Sequence, residues 1–136
     1  MAVINGYCKE KDIDFNKDLT YGKLGETLAN EIFQGNFDAE VKTERNIWKK
    51  TGNIAIEYLC KDKPSGISTC KSQLWIHFLS VDGKIKSGFI FNRKELKQYI
   101  KSNFYKLNKT KGGDNKDSDM VLLNLTNIKE VCGFDK

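Results

Sequence analysis

Residues 37–44 hold the densest set of groups in this chain that could do chemistry. Asp38, Glu40, Lys42 and Glu44 alternate strictly with Phe37, Ala39, Val41 and Thr43. Successive side chains of a strand point to opposite faces, so the octet predicts a strand with three carboxylates and an ammonium in a row on one face. Like charges two residues apart repel, and such a row calls for a cation or abundant water. Two readings follow. One is a solvated outer face, which sheets commonly carry. The other is a set of oxygen ligands for a hard divalent ion, beside a lysine that offsets negative charge built up in a reaction.

The elements that must position these groups can be read in chain order. Residues 1–20 show little pattern and read as a polar lead-in. Leu24, Leu28 and Ile32 recur every four residues, predicting a helix over 21–33 that Gly35-Asn36 ends. Glu26 falls at the edge of its apolar arc. Residues 45–51 form a basic, aromatic connection. A second strand is expected at 54–60, carrying Glu57. The short connection favours antiparallel pairing of the two strands, which sets Glu40 opposite Glu57 or nearly so. Two facing carboxylates again need something positive between them.

A polar loop over 61–72 contains the single proline, Pro64, and leads to a third strand at 73–80. Asp82-Gly83 signals a hairpin to a returning strand at 85–91. Asn92-Arg93-Lys94-Glu95 resembles a capping box opening a helix to about residue 107. Residues 108–119 are expected to be an exposed loop, 120–125 a last strand, and Thr126 the cap of a short final helix. This order predicts an α/β (α+β) fold, a single domain over 1–136 with a central mixed β-sheet flanked by helices.

Composition narrows the classes. A hydrophobic content of 39% with 11% aromatics fits a folded domain rather than a disordered chain. No apolar run reaches the ~20 residues that span a bilayer. The first residues carry no signal pattern, so a cytoplasmic protein without membrane association is expected. Cys8, Cys60, Cys70 and Cys132 include no C-x-x-C pair and have only His77 as a helper, which argues against zinc. His77, inside an apolar strand, reads as a satisfied core histidine. The net charge is +5, and residues 84–111 carry nine Lys/Arg against the single acid Glu95. A basic half beside an acidic cluster fits a polyanion-binding surface next to a metal-binding one.

A helix bearing Gly22-x-x-Gly25-Glu26, followed by a strand with Asp38 and Glu40-Val41-Lys42, resembles the PD-(D/E)XK nuclease superfamily. The later phrases Thr51-Gly52-Asn53-Ile54-Ala55-Ile56-Glu57, Pro64-Ser65-Gly66-Ile67 and Lys111-Gly112-Gly113-Asp114 are similar to a group of small phage-type nucleases within it, including resolvases of branched DNA. The resemblance implies a restriction-endonuclease-like fold and a DNA endonuclease dependent on Mg²⁺ or Mn²⁺. It implies metal ligation by Asp38 and Glu40, with Glu26 or Glu57 completing the shell, and a catalytic role for Lys42. If phage-encoded, the protein would work in the host cytoplasm. Symmetric cutting of two strands would call for a homodimer.

One departure stands out. The superfamily usually places its Asp on the strand before the Glu-x-Lys strand, whereas Asp38 sits two residues before Glu40. Either Asp38, Glu40 and Lys42 work from one strand, or that strand supplies Asp38 while Glu57 replaces the usual Glu and Lys42 comes from the neighbouring strand; both arrangements use Asp38 and Lys42. The compression also leaves room for a relative that binds DNA without cutting it, or for a phage protein that binds a host protein. For DNA contact, Arg45, Lys49 and Lys50 are candidates, as is Trp48, which either stacks on a base or anchors its loop. Ser65 and Lys71 offer phosphate contacts or a capped turn, and Lys109 and Lys111 offer a clamp or a mobile loop.

Overall fold

The computed structural model describes residues 15–133. The chain divides into two compact units, 1–37 and 38–136. In the first, helix α1 runs Phe15–Phe33. It begins six residues ahead of the apolar periodicity, so residues 15–20, expected as lead-in, form its opening turns; residues 1–14 lie outside the described residues. The helix ends where Gly35, at φ +78°, donates its N–H to Ile32 O at 3.0 Å while Asn36 N–H reaches Glu31 O at 2.9 Å. A left-handed residue closing a helix in this way favours glycine.

The second unit is mixed α/β. Its elements run β1 (Ala39–Glu44), α2 (Trp48–Thr51), β2 (Ile54–Cys60), β3 (Lys63–Pro64), a 3₁₀ turn (Gly66–Ser68), β4 (Leu74–Val81), β5 (Lys84–Asn92), α3 (Arg93–Asn103), β6 (Asn108–Gly112), β7 (Ser118–Leu123) and α4 (Leu125–Val131). Among the described residues the strands form two sheets, ordered β1-β4-β5 and β3-β2-β7-β6. Strand β4 is the most apolar, and it sits centrally in its sheet. It pairs with β1 in parallel and with β5 antiparallel through the expected hairpin. Asp82 and Gly83 at that turn take φ +51° and +81°. Two left-handed central residues are what a tight hairpin twist requires.

The expected antiparallel ladder between β1 and β2 does not form. Glu40 lies beside Trp75 and Glu57 beside Met120, because β1 pairs with β4 while β2 pairs with β7. The connection from β1 explains the change. Residues 48–51 wind into one helical turn, and Trp48 Nε1 donates to Ser80 O at 2.8 Å, pinning the connection to β4. The two strands meet instead through a side chain, as Ala55 N–H donates to Glu44 Oε2 at 2.7 Å.

Residues 108–112, expected as exposed loop, are an edge strand against β7. Their Asn, Lys and Thr side chains are exposed, so the strand carries no apolar alternation to reveal it. Charged edge strands of this kind discourage pairing with other chains. The last helix is capped by Asn124 rather than Thr126, in a reciprocal capping box with Asn127. Asparagine is the better cap, and it directly follows the end of β7.

The core joins Ile54 and Ile56 of β2, Val121 and Leu123 of β7, Trp75 and Leu79 of β4, and Phe91 of β5. Helix α3 covers it with Leu96 and Ile100, starting where the Asn92 side chain accepts from Glu95 N–H at 3.1 Å. Each fully buried aliphatic side chain contributes about 1.5–3 kcal/mol.

Helices α3 and α4 are joined by a polar contact. The Tyr99 hydroxyl donates to Glu130 Oε1 at 2.5 Å and accepts from Asn127 Nδ2 at 3.1 Å. Burial, and then the bond to Glu130, push the Tyr99 pKa up to about 12. Folding thus favours the neutral phenol. Its contribution is complete below the unfolded pKa near 10 and is lost as pH rises through about 12. Tyr99→Phe is expected to cost about 1–2 kcal/mol at neutral pH. Urea unfolding should also show the mutant losing less stability than wild type between about pH 10 and 12.

Candidate functional site

Along β1 the alternation read from the sequence is obeyed, and the charged set is the more buried one. Glu40, Lys42 and Glu44 are half-buried, while Ala39, Val41 and Thr43 are exposed. An ordinary solvated outer face would show the reverse. The charged row therefore looks onto protein.

Lys42 and Glu44 look onto a cleft of about 540 Å³ whose walls also include Arg45, Glu57, His77 and Lys111. Glu57 projects from β2 on the side opposite Ile54 and Ile56, since side chains alternate along a strand. Its carboxylate accepts from Ser118 Oγ at 2.7 Å through one oxygen and from Ser65 Oγ through the other. Two hydroxyls on two oxygens fix the carboxylate plane, and no ammonium or guanidinium among the described residues pairs with it. Ser65 reaches Glu57 because the turn that follows passes very close to β2. Gly66 takes φ +55°, and a Cβ there would stand 2.2 Å from Glu57 O. A β-bulge follows Glu57 in the ladder with β7. Bulges commonly re-aim side chains beside functional sites.

Lys42 reaches the same cleft from the other sheet. Its ammonium pairs with Glu40 Oε2 at 3.0 Å and lies 5.9 Å from the Trp75 ring centroid. Lys111 is exposed and paired with Asp119. That hydrogen bond and charge raise the Lys111 pKa, so its ammonium stays protonated.

Beneath Lys42 runs a buried polar chain. Trp75 Nε1 donates to His77 Nδ1 at 3.1 Å, which leaves the imidazole proton on Nε2, 2.8 Å from Glu44 Oε2. His77 is 1% exposed. It is a satisfied histidine that orients Glu44, as its apolar surroundings suggest.

The other candidate residues separate into groups. Asp38 is exposed just ahead of β1, and its backbone, not its carboxylate, makes its hydrogen bonds: its N–H donates to Gln73 Oε1 at 3.3 Å and its carbonyl accepts from Leu74 N–H at 3.0 Å. Neither Asp38 nor Glu40 lines the cleft. Glu26 is exposed on α1, in the first unit. Among the described residues, no three Asp, Glu, His or Cys side chains come together closely enough to hold a metal ion by themselves. Trp48 is an anchor, with its indole N–H committed to Ser80. Ser65 is committed to Glu57 rather than turned out toward phosphate. Lys109 binds the carbonyls of Phe104 and Leu107 at the end of α3. Arg45, Lys49, Lys50 and Lys71 are exposed.

Sequence reasoning missed Ser118 and the part played by Glu44. Ser118 lies in a stretch whose composition is that of a loop, so nothing marked it. Glu44 belongs to the alternating charged face, and that signal alone could have found it. No family model, curated protein or solved structure matches this chain, and the site stands on its own geometry.

Proposed function

We propose that the cleft is the active site of a divalent-metal-dependent endonuclease that hydrolyses phosphodiester bonds in DNA. The observation that carries this reading is the meeting of Lys42 and Glu57, from two different sheets, in one cleft. It favours Glu57 over Glu40 as the principal carboxylate, with Lys42 donated from another sheet, while Asp38, which both arrangements open to the sequence used, lies outside the cleft wall.

The donor chemistry suits Mg²⁺. The ion prefers oxygen ligands and is usually held by one or two carboxylates together with waters and substrate phosphate, not by an all-protein cage. Glu57 supplies such a carboxylate, already oriented by Ser65 and Ser118. Glu40 stands outside the cleft wall and is linked to it through its ion pair with Lys42. When bound, Mg²⁺ lowers the pKa of a coordinated water and polarises the phosphoryl group.

The chain's own residues do the rest. Lys42 places a positive charge where the phosphoryl oxygens gain negative charge; protonated, it acts as an electrostatic partner and not as a base. Lys111 and the exposed Arg45 on the cleft walls hold flanking phosphates. The His77–Glu44 pair fixes the end of β1 and so the strand on which Lys42 sits.

A second reading has its own support. The lack of a three-donor cluster among the described residues, and the neutralisation of Glu40 by Lys42, suit a nuclease-like DNA-binding module that does not cut. Incubation of supercoiled plasmid and of a four-way junction with Mg²⁺, Mn²⁺ or EDTA separates the two. Nicking or junction cutting that EDTA abolishes supports the endonuclease. Folded protein that binds DNA in a salt-sensitive way but cuts neither substrate in either metal supports the module. Paired cuts across the junction would further call for two copies acting together.

A further inference from the structure

A second surface on the same unit carries a different chemistry. At the end of α3, Tyr105 is 97% exposed, an unusual state for an aromatic ring. It does not stand alone. Its ring meets Phe104 edge-on at 5.8 Å, and Phe104 meets Tyr58 edge-on at 5.1 Å. These rings border a groove of about 310 Å³, whose other walls include Lys97 and Lys101. Lys109 Nζ lies 4.3 Å from the Phe104 ring centroid. Lys101 is exposed and forms no ion pair among the described residues. Burial, and then the charge of Asp119, raise the Tyr58 pKa, and Asp119 is already paired with Lys111.

We propose that this groove binds single-stranded nucleic acid, with Tyr105 stacking on an unpaired base and Lys101 holding the adjoining phosphate. The charge selects a polyanion, since Lys97 and Lys101 line the groove and no carboxylate does. The exposed ring selects an unpaired base. A duplex hides its base faces in the stack, whereas a single strand offers one at every nucleotide, and aromatic rings between lysines are the usual platform for it. The groove is near the lower limit of ligand-pocket size, which suits one ring system rather than a large ligand.

Its geometry ties it to the cleft. Tyr58 follows Glu57 on β2, and one turn touches both sites, through Ser65 on Glu57 and Ser68 Oγ on Tyr58 O. The functional meaning rests on the nuclease reading: a substrate with unpaired nucleotides would engage groove and cleft together. The binding itself does not depend on cleavage.

The test is fluorescence anisotropy in EDTA, where no metal-dependent cutting occurs, with a labelled thymidine strand of about 15 nucleotides. The same length is used as an abasic strand and as a duplex. Tyr105→Ala is expected to weaken the thymidine strand on the order of 10-fold and to leave the abasic strand unchanged, with Tyr105→Phe retaining wild-type affinity. Lys101→Glu should weaken all three ligands and flatten the salt dependence. Tyr105 is so exposed that folding should be unaffected, which thermal melts verify. Unchanged affinity in Tyr105→Ala overturns the proposal and leaves the patch to a protein partner. Equal losses on strand and duplex overturn it as well. Cleavage without Tyr105-dependent binding, or the reverse, shows which of the two readings has failed.

Discussion

Plasmid cleavage in Mg²⁺ should fall by about 10²–10³-fold when Lys42 is replaced by alanine, and at least as far for Glu57→Gln. Neither change should unfold the protein. The Lys42 side chain is 42% exposed, and its ion pair with Glu40 is of the kind that contributes about 0–1 kcal/mol. Gln at position 57 keeps the shape of Glu and still offers an oxygen to Ser65 or Ser118, so unfolding curves should stay close to wild type. Activity, not stability, is then what moves. Glu40→Gln gives the contrast. Glu40 is outside the cleft wall, and its loss should weaken cleavage less than Glu57→Gln does. The reverse order would restore the single-strand arrangement of Asp38, Glu40 and Lys42. Full activity in Lys42→Ala would remove the lysine from the chemistry altogether.

Much of this molecule was legible in the sequence, for local reasons. The β4–β5 hairpin, the Asn92 cap and the alternation of charged and uncharged faces along β1 each follow from residues within a few positions of one another, whereas the burial of that charged face does not. The pairing of β1 was not legible. Whether a strand joins its sequence neighbour or a distant one depends on which partner is more fully buried, and β4, buried along most of its length, takes β1 across 35 residues. The same non-local choice moved Glu57 away from Glu40 and into contact with Ser118, 61 residues on. Strand β6 escaped notice because its side chains are exposed and carry no period-two apolar signal. Trp48 had two readings that only its partner, the Ser80 carbonyl, distinguishes. Individual candidates such as Lys42 and Glu57 were visible as residue types, but their convergence was a property of sheet order.

Gly66→Ala should be among the most damaging single-methyl additions in the chain, costing on the order of 3–5 kcal/mol. Total stabilities of small domains are about 5–15 kcal/mol, so the loss is large. Two effects combine. At φ +55° an alanine carries a left-handed penalty of about 1–2 kcal/mol. Its Cβ would also stand 2.2 Å from Glu57 O and 2.9 Å from Glu57 C, both backbone atoms of a strand whose Ile54 and Ile56 are in the core. No rotamer change relieves a collision with backbone; either β2 or the turn must move, and moving the turn takes Ser65 off Glu57. Gly52→Ala isolates the first effect. Gly52 has φ +73° but nothing within 4 Å of an added Cβ, so it should show only the conformational penalty, about 1–2 kcal/mol. Urea unfolding of both variants separates strain from clash. If Gly66→Ala matches Gly52→Ala, the turn yields more readily than its contacts imply, and Ser65 then does not hold Glu57 rigidly enough to fix a catalytic carboxylate. If it is far less stable, the close approach of this turn to β2 is the feature that positions the carboxylate in the cleft.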